Sequence, residues 1–411
     1  MTPRVLLATT CRWFAAARLA MAFKDVGCVV DVICPDGHPV SLTAAYSRMF
    51  QYRGLAPLDS FRAGIIAAQP DIVIPCDDLA RTHLHQIYAR SLQPDDADTA
   101  LRSLLERSLG DPTCFSLIDA RSRLIALAHE LDLRAPETAV ISNLSELQSC
   151  VGSFGLPVVL KSDGTSGGLG VRIAHSEEDA VRAFKMLNAP PLVLRTFKRA
   201  LVDRDSTLLI PWLQRHRPVV SMQRFLPSKD ATVAVACWQG EVLASISVEV
   251  LKTWKPKGPA SVVRLIDNDE MTLTVRKLAA RLKLSGLCGF NFILERDPQR
   301  ASLIEMNPRA TQICHLPLGP SRNLTAALAN ALTGKAAPES ASITDLDVIA
   351  LFPLEWQNSA SSPFLRSAYH DVPWEEPRLV LACVDSRMRD GGWLTYESLN
   401  RMLARLPWRR P

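Results

Sequence analysis

The chain has 411 residues, enough for two or three domains with well-buried cores, and its 47% hydrophobic and 22% charged residues are the balance of an ordinary globular protein. Its 47 Lys+Arg against 42 Asp+Glu leave a net charge of only +5, too mild to make nucleic acid an expected partner. No stretch approaches the roughly 18 consecutive apolar residues that cross a bilayer, and the first residues lack the continuous apolar core of a secretion signal, so no membrane partner and a cytoplasmic location are expected. Ten scattered cysteines with no C-x-x-C among them read as reduced, buried thiols.

Residues 4–10 are an apolar run of strand length, Trp13–Phe23 carries a helical apolar face, and Val29–Cys34 reads as a second strand. A β-α-β unit and a parallel sheet follow. Ile65–Ala68 ends another helix and Asp71–Pro75 is a third strand, which predicts a small doubly wound domain over residues 1–115. Its first turn, Thr9-Thr10-Cys11, has no glycine, so pyrophosphate is not expected there. Asp77 and Asp78, just past the third strand, have the position of caps on the next helix, with substrate contact as the alternative reading. The polar stretch 91–98 and then Gly110-Asp111-Pro112 mark a boundary.

A helix is predicted over 119–131, then a strand at Ala139-Val140-Ile141, then a helix opened by Asn143 and Glu146 at capping-box spacing. The apolar run Leu156–Leu160 leads into Lys161–Val171, K-S-D-G-T-S-G-G-L-G-V, in which Gly164, Gly167, Gly168 and Gly170 let main-chain N–H groups approach an anion closely. Because Val171–Ala174 resumes as a strand, this is a hairpin with a long tip rather than a loop opening a helix, and taken alone it reads equally as a phosphate cover or as a flexible surface turn. Neither a G-x-x-x-x-G-K-[ST] nor a strand-borne G-x-G-x-x-G is present, which disfavours P-loop enzymes and dinucleotide dehydrogenases. Ser176 with Asp179 opens the following helix. The cationic segment 192–217 reads as a solvated charged face or as a flap that meets an acidic substrate.

Val219–Leu226 is a strand, Ala231–Trp238 and Val242–Val250 form a hairpin across Gln239-Gly240, and a helix over Glu270–Lys283 is closed by Gly286. Two strands follow at Gly289–Leu294 and Ala301–Met306. Glu305 and Asn307, two apart on an extended chain, leave the same face and present three hard oxygens to one cation, and Asn291 on the neighbouring strand offers a fourth. Arg309 would stand beside that metal, suited to an anionic transition state, whereas His315 further on reads equally as a packed residue. After Gly334 a small-residue linker leads to a strand over 346–353 and a tail whose tryptophans, Trp356, Trp374 and Trp393, suggest packing.

The order of these parts resembles the ATP-grasp superfamily: a small α/β domain, K-x-D-G-x-x-G-G-x-G-V, then Q-x-F-L-P, then G-F-x-F and E-M-N-P-R. The resemblance covers roughly residues 1–330 and implies an α/β and α+β fold, with an ATP-grasp domain over 116–333, divided into a lid subdomain at about 140–218 and a larger one at 219–333, and an extension over 334–411. It implies a ligase that uses ATP and magnesium, or manganese in its place, to activate a carboxylate as an acylphosphate and join it to an amine. A non-catalytic ATP-binding protein and an ATP-grasp kinase are the alternative readings. By the resemblance, Lys161 contacts the nucleotide phosphates, and Gly164, Thr165, Ser166, Gly167, Gly168 and Gly170 form the lid hairpin. Gln223, Arg224, Phe225 and Leu226 match the strand whose backbone meets adenine; Glu305, Asn307 and Asn291 match metal ligands; Arg309 matches the catalytic arginine. Small-molecule acid and amine partners are implied, and a homodimer is compatible. Three positions depart from the pattern: Asn291 stands for a carboxylate, Asp119-Ala120 for an Asp-Lys pair, and Ile313 for the glutamate of biotin-carboxylase-like members, which makes bicarbonate a less expected substrate.

Overall fold

A computed structural model describes residues 2–94, 98–118, 120–163, 170–189, 218–255, 258–295, 300–334 and 341–384. Gly164, Thr165, Ser166, Gly167, Gly168, the cationic segment 192–217 and Trp393 lie outside the described residues.

The N-terminal strands β1 (Arg4–Ala8), β2 (Val29–Cys34), β3 (Arg48–Gln51) and β4 (Ile72–Pro75) form a parallel sheet in the order β3-β2-β1-β4. Side chains on a strand alternate faces, so a strand with a core on each side must be apolar throughout. Val5 and Leu7 accordingly enter one core with Ala17 and Ala20 of α1 (Phe14–Asp25), while Leu6 and Ala8 enter the other with Phe61 and Ile65 of α2 (Pro57–Ala68). β3 escapes the sequence reading because it is a half-exposed edge strand. Beyond β4 come α3 (Asp78–Ser91) and α4 (Thr99–Leu109), the latter in the stretch where the sequence suggests only a boundary. Leu101, Leu104, Leu105 and Leu109 of α4 bury themselves in the sheet domain, and the Ser108 hydroxyl accepts from the Val73 N–H at 2.9 Å.

After α4 the chain turns at Gly110, whose φ of +98° suits glycine and whose added Cβ would stand 2.4 Å from the Lys283 carbonyl oxygen. Both effects oppose any side chain there, so Gly110→Ala is expected to lower stability by about 3 kcal/mol. Urea unfolding that leaves the midpoint unchanged would refute this.

After α5 (Phe115–Ile118) and α6 (Arg121–Glu130), a small antiparallel sheet is built from β5 (Thr138–Ile141), β6 (Val158–Ser162), β7 (Val171–Ala174) and β8 (Val220–Arg224), in the order β5-β8-β6-β7. The expected β6–β7 hairpin is present, with Lys161 opposite Val171. Helices α7 (Leu144–Phe154) and α8 (Glu177–Leu187) cover one face with Leu147, Val151, Ala180 and Phe184. Asn143 caps α7 through the Glu146 N–H at 2.9 Å, but the return bond from Glu146 goes to the Ser142 N–H, one residue earlier than a capping box has it.

The large sheet runs β13-β12-β9-β10-β11-β14-β15, from β9 (Lys229–Trp238), β10 (Glu241–Thr253), β11 (Ala260–Leu265), β12 (Gly286–Leu294), β13 (Ala301–Asn307), β14 (Val348–Ala350) and β15 (Tyr369–His370). One face packs on α6 and α9 (Asp269–Leu282); the other shares a continuous core with α1 and α10 (Leu324–Thr333). α9 ends on Lys283, which takes the left-handed conformation itself at φ 46°, so Gly286 opens β12 instead of closing the helix. All ten cysteines are free thiols; Cys11 is exposed and Cys150 half-buried, against the expectation of uniform burial. Among the described residues no helix is long and apolar enough to cross a membrane.

Candidate active site

The two antiparallel sheets enclose a cleft of about 680 Å³, with residues that follow β1 and β4 forming one end. That volume suits a substrate of nucleotide size. Leu160 points into the small sheet's own core, so alternation turns Lys161 to the opposite face and into the cleft. Lys161 is only 7% exposed, and its ammonium donates to the Ile304 carbonyl at 3.2 Å. Burial pushes its pKa down to about 8, with Glu305 pulling the other way. A buried cation whose one hydrogen bond among the described residues goes to a neutral carbonyl is poised for an anion.

β8 lies inside the small sheet, so the Gln223 main chain faces Thr138 on one side and Val159 on the other. Its side chain donates to the Thr138 hydroxyl at 3.1 Å. The Arg224 N–H donates to the Glu137 carbonyl at 2.9 Å, and the Arg224 guanidinium pairs with the Glu137 carboxylate at 2.5 Å. Phe225 and Leu226 lie past the ladder and line the cleft, so main-chain groups able to meet a flat ligand edge begin there.

Across the cleft, Asn291 and Glu305 sit opposite each other on β12 and β13. A bulge follows, because Phe292 pairs with Leu303 and leaves Ile304 extra. Asn291 Oδ1 accepts from the Thr232 hydroxyl at 2.9 Å. Glu305 Oε1 accepts from Arg121 Nη2 at 2.8 Å and Nε at 3.0 Å, while Arg121 Nη1 donates to the Ser162 carbonyl at 2.6 Å. Arg121, the first residue of α6, thus ties the strand of Glu305 to the strand of Lys161. Asn307 Oδ1 accepts from Arg309 Nη2 at 3.2 Å, and Arg309 Nε lies 3.1 Å from Asp78 Oδ2. The next N–H, of Ala310, donates to the Pro75 carbonyl at the end of β4 at 2.9 Å, so the N-terminal domain holds this loop in place.

The described members of the expected set, namely Lys161, Gln223, Arg224, Phe225, Leu226, Asn291, Glu305, Asn307 and Arg309, therefore line one cleft. Gly170 follows the undescribed hairpin tip and passes its carbonyl to the Ser162 N–H at 2.9 Å. Asp77 caps α3 through the Ala80 N–H at 2.8 Å, as expected, whereas Asp78, the first residue of that helix, makes no cap and faces Arg309 instead. His315 lies outside this cleft, 2.7 Å from Asp371. The sequence reading missed Thr232 and Asp230, which also line the cleft. The signal was the polar pair's place at the start of an otherwise apolar strand. Burial raises the pKa of the Asp230 carboxyl, and Lys161 partly offsets that.

Glu305, Asn307 and Asn291 offer hard oxygens on one side of the cleft, suited to one magnesium that shares its remaining positions with phosphate. They carry a single negative charge, and among the described residues no group of three or more His, Cys, Asp or Glu gathers as a metal site. The donor set among the described residues is suited to one ion.

A parallel-sheet domain is thus followed by two antiparallel sheets around a cleft. The fold is that of ATP-grasp proteins. Residues 120–205 match the family described as carbamoyl-phosphate synthase L chain, ATP binding domain. The chain is similar to the carbamoyl phosphate synthase large chain of Methanothermobacter thermautotrophicus, 21% identical over 197 residues that make up 47% of this chain and 17% of that protein. The Rhizobium meliloti large chain is 23% identical over 208 residues, 49% of this chain and 18% of that one. The chain thus matches only a small part of these relatives' length. Among solved structures, the biotin carboxylase domain of Hydrogenobacter thermophilus 2-oxoglutarate carboxylase, bound to MgADP, ADP and bicarbonate, superposes with a TM-score of 0.54 at 15% identity, covering 83% of this chain and 72% of that one. N5-carboxyaminoimidazole synthase of Aspergillus clavatus, in complex with ADP and 5-aminoimidazole ribonucleotide, gives 0.54 at 15% identity over 80% and 77%. These likenesses establish the fold.

Proposed function

We propose that the protein is an ATP-dependent ligase that activates a carboxylate as an acylphosphate and joins it to an amine, releasing ADP and phosphate. The observation that carries this reading is the buried Lys161 ammonium facing Glu305, Asn291 and Asn307 across one cleft, at the foot of a glycine-rich hairpin. Lys161 binds phosphate oxygens as a fixed point charge. Magnesium, held by Glu305, Asn307 and Asn291, would draw negative charge from the phosphates. Arg309, fixed by Asp78 and Asn307, holds the substrate carboxylate and then the charge that develops on the transferred phosphoryl group. The carboxylate oxygen attacks the terminal phosphorus and ADP leaves; the amine then attacks the acyl carbon, phosphate leaves, and the amine gives up a proton. Relatives solved with ADP and with small-molecule substrates support the nucleotide and the reaction class.

The test offers magnesium-ATP and pools of carboxylic acids, with hydroxylamine as the trapping amine. Acid-dependent ADP release with a hydroxamate product supports the reading. ADP release that never responds to an acid sinks it.

Asn291→Asp restores a second carboxylate beside Glu305 and is expected to lower the magnesium concentration for half-maximal nucleotide binding by roughly threefold to tenfold. Calorimetric titrations at several magnesium concentrations check this, and an unchanged magnesium requirement would place the ion elsewhere.

A further inference from the structure

Glu305 brings the one negative charge among Glu305, Asn307 and Asn291, and that charge already faces a cation. Arg121 Nη2 and Nε both donate to Glu305 Oε1, at 2.8 and 3.0 Å. The fork that would engage both carboxylate oxygens is not formed. Both N–H groups converge on Oε1, and among the described residues nothing donates to Oε2.

The guanidinium is itself fixed. It starts α6, its Nη1 donates to the Ser162 carbonyl at 2.6 Å, and the Arg121 and Glu305 side chains are only 18% and 23% exposed. A partly buried pair held from a third side is screened less than a surface ion pair.

Neighbouring groups feel the same charge. Burial raises the Asp163 carboxyl, the Arg121 guanidinium and main-chain N–H oppose that, and Glu305 adds to it. Burial lowers the Lys161 ammonium, Glu305 opposes that, and Arg121 adds to it. Two carboxyls therefore stand against two cations, and little net charge is left to draw in a bare divalent ion. Asn291, where a carboxylate would tip the balance, supplies none.

We infer that Arg121 is a positioning residue that withholds Glu305 from free metal: it grips Oε1, leaves Oε2 to a cation, and offsets the carboxylate's charge so that a divalent ion enters only with the nucleotide's phosphates. The phosphates supply the negative charge that Arg121 takes away. Metal and nucleotide then bind with positive coupling, each raising the other's affinity by the same factor. The inference rests on the proposed reading of Glu305 as a magnesium ligand in a nucleotide cleft.

The experiment uses manganese(II) as the probe, its free concentration followed by electron paramagnetic resonance with the full chain at neutral pH, alone and then with a non-hydrolysable ATP analogue. Arg121→Gln is expected to bind manganese alone about tenfold more tightly than the wild type. Arg121→Lys, which keeps the charge, should stay at the wild-type value, and Arg121→Gln combined with Glu305→Gln should lose the gain. A gain that Glu305→Gln removes is not the result of a loosened fold. With the analogue bound, Arg121→Gln and the wild type should differ by less than about threefold, because the phosphates now supply the charge. Unchanged manganese affinity in Arg121→Gln, a gain that survives Glu305→Gln, or equal gains with and without the analogue would overturn the inference. A wild type that binds no analogue, beside an Arg121→Gln protein that still shows the gain, would keep Arg121's hold on Glu305 and remove the nucleotide reading instead.

Discussion

Lys161→Ala is expected to weaken binding of a non-hydrolysable ATP analogue by roughly 30- to 100-fold, measured by calorimetry with magnesium present. The side chain is nearly enclosed and, among the described residues, its ammonium hydrogen-bonds the Ile304 carbonyl alone, at 3.2 Å, so its attraction for phosphate is screened little by water. Affinity should also depend on pH, with a sign that follows from burial. The free protein's Lys161 loses its proton near pH 8, and a bound phosphate raises that value. Full affinity therefore holds below about pH 8 and falls as pH rises through it, by up to about tenfold per unit. Lys161→Met should bind weakly at every pH and lose this dependence. Affinity unaffected by Lys161→Ala would place the phosphates elsewhere.

Asp371→Ala is the substitution expected to destabilise the fold most. Asp371 is 1% exposed and joins Arg18 of α1 to His315 beyond β13, three segments far apart in sequence. Its removal leaves the Arg18 guanidinium, itself 9% exposed, without its main partner inside the protein. Stranding one half of a buried ion pair costs about 3–5 kcal/mol. Because its folded pKa lies below the usual range, the contribution of Asp371 is present above ordinary carboxylate pKa values and is lost as pH falls through the lowered one. Urea unfolding at neutral pH should show the loss, and acid unfolding should be less steep in the variant. A change under about 1 kcal/mol would mean that the trio is replaceable by water.

The sequence shows the fold's class because it rests on local pattern, and local pattern also explains why the expected site residues come to one cleft. The alternation of Leu160 and Lys161 aims the lysine before any packing is known, and the i, i+2 spacing of Glu305 and Asn307 puts both on one face. What it hides are contacts between distant segments. Arg121 reaches Glu305 across 184 positions, and Asp78 reaches Arg309 only because the domains meet. Edge elements hide too: β3 is too exposed and β15 too short to leave a period-2 signature. At the end of α9, Lys283 takes the turn that Gly286 suggested, since tertiary packing against Gly110 and Gly240 overrides the residue's own preference. His315 and Asp371, 56 positions apart, could not be joined from the sequence.

The central claim is that a carboxylate takes a phosphoryl group from ATP in this cleft. With an acid that supports ADP release, the carboxyl oxygens are labelled with ¹⁸O and the inorganic phosphate product is weighed by mass spectrometry. Transfer of one label to phosphate in each turnover is the predicted result, and its loss together with ADP release in Lys161→Ala would tie it to this site. Unlabelled phosphate from a working wild-type enzyme would contradict the account.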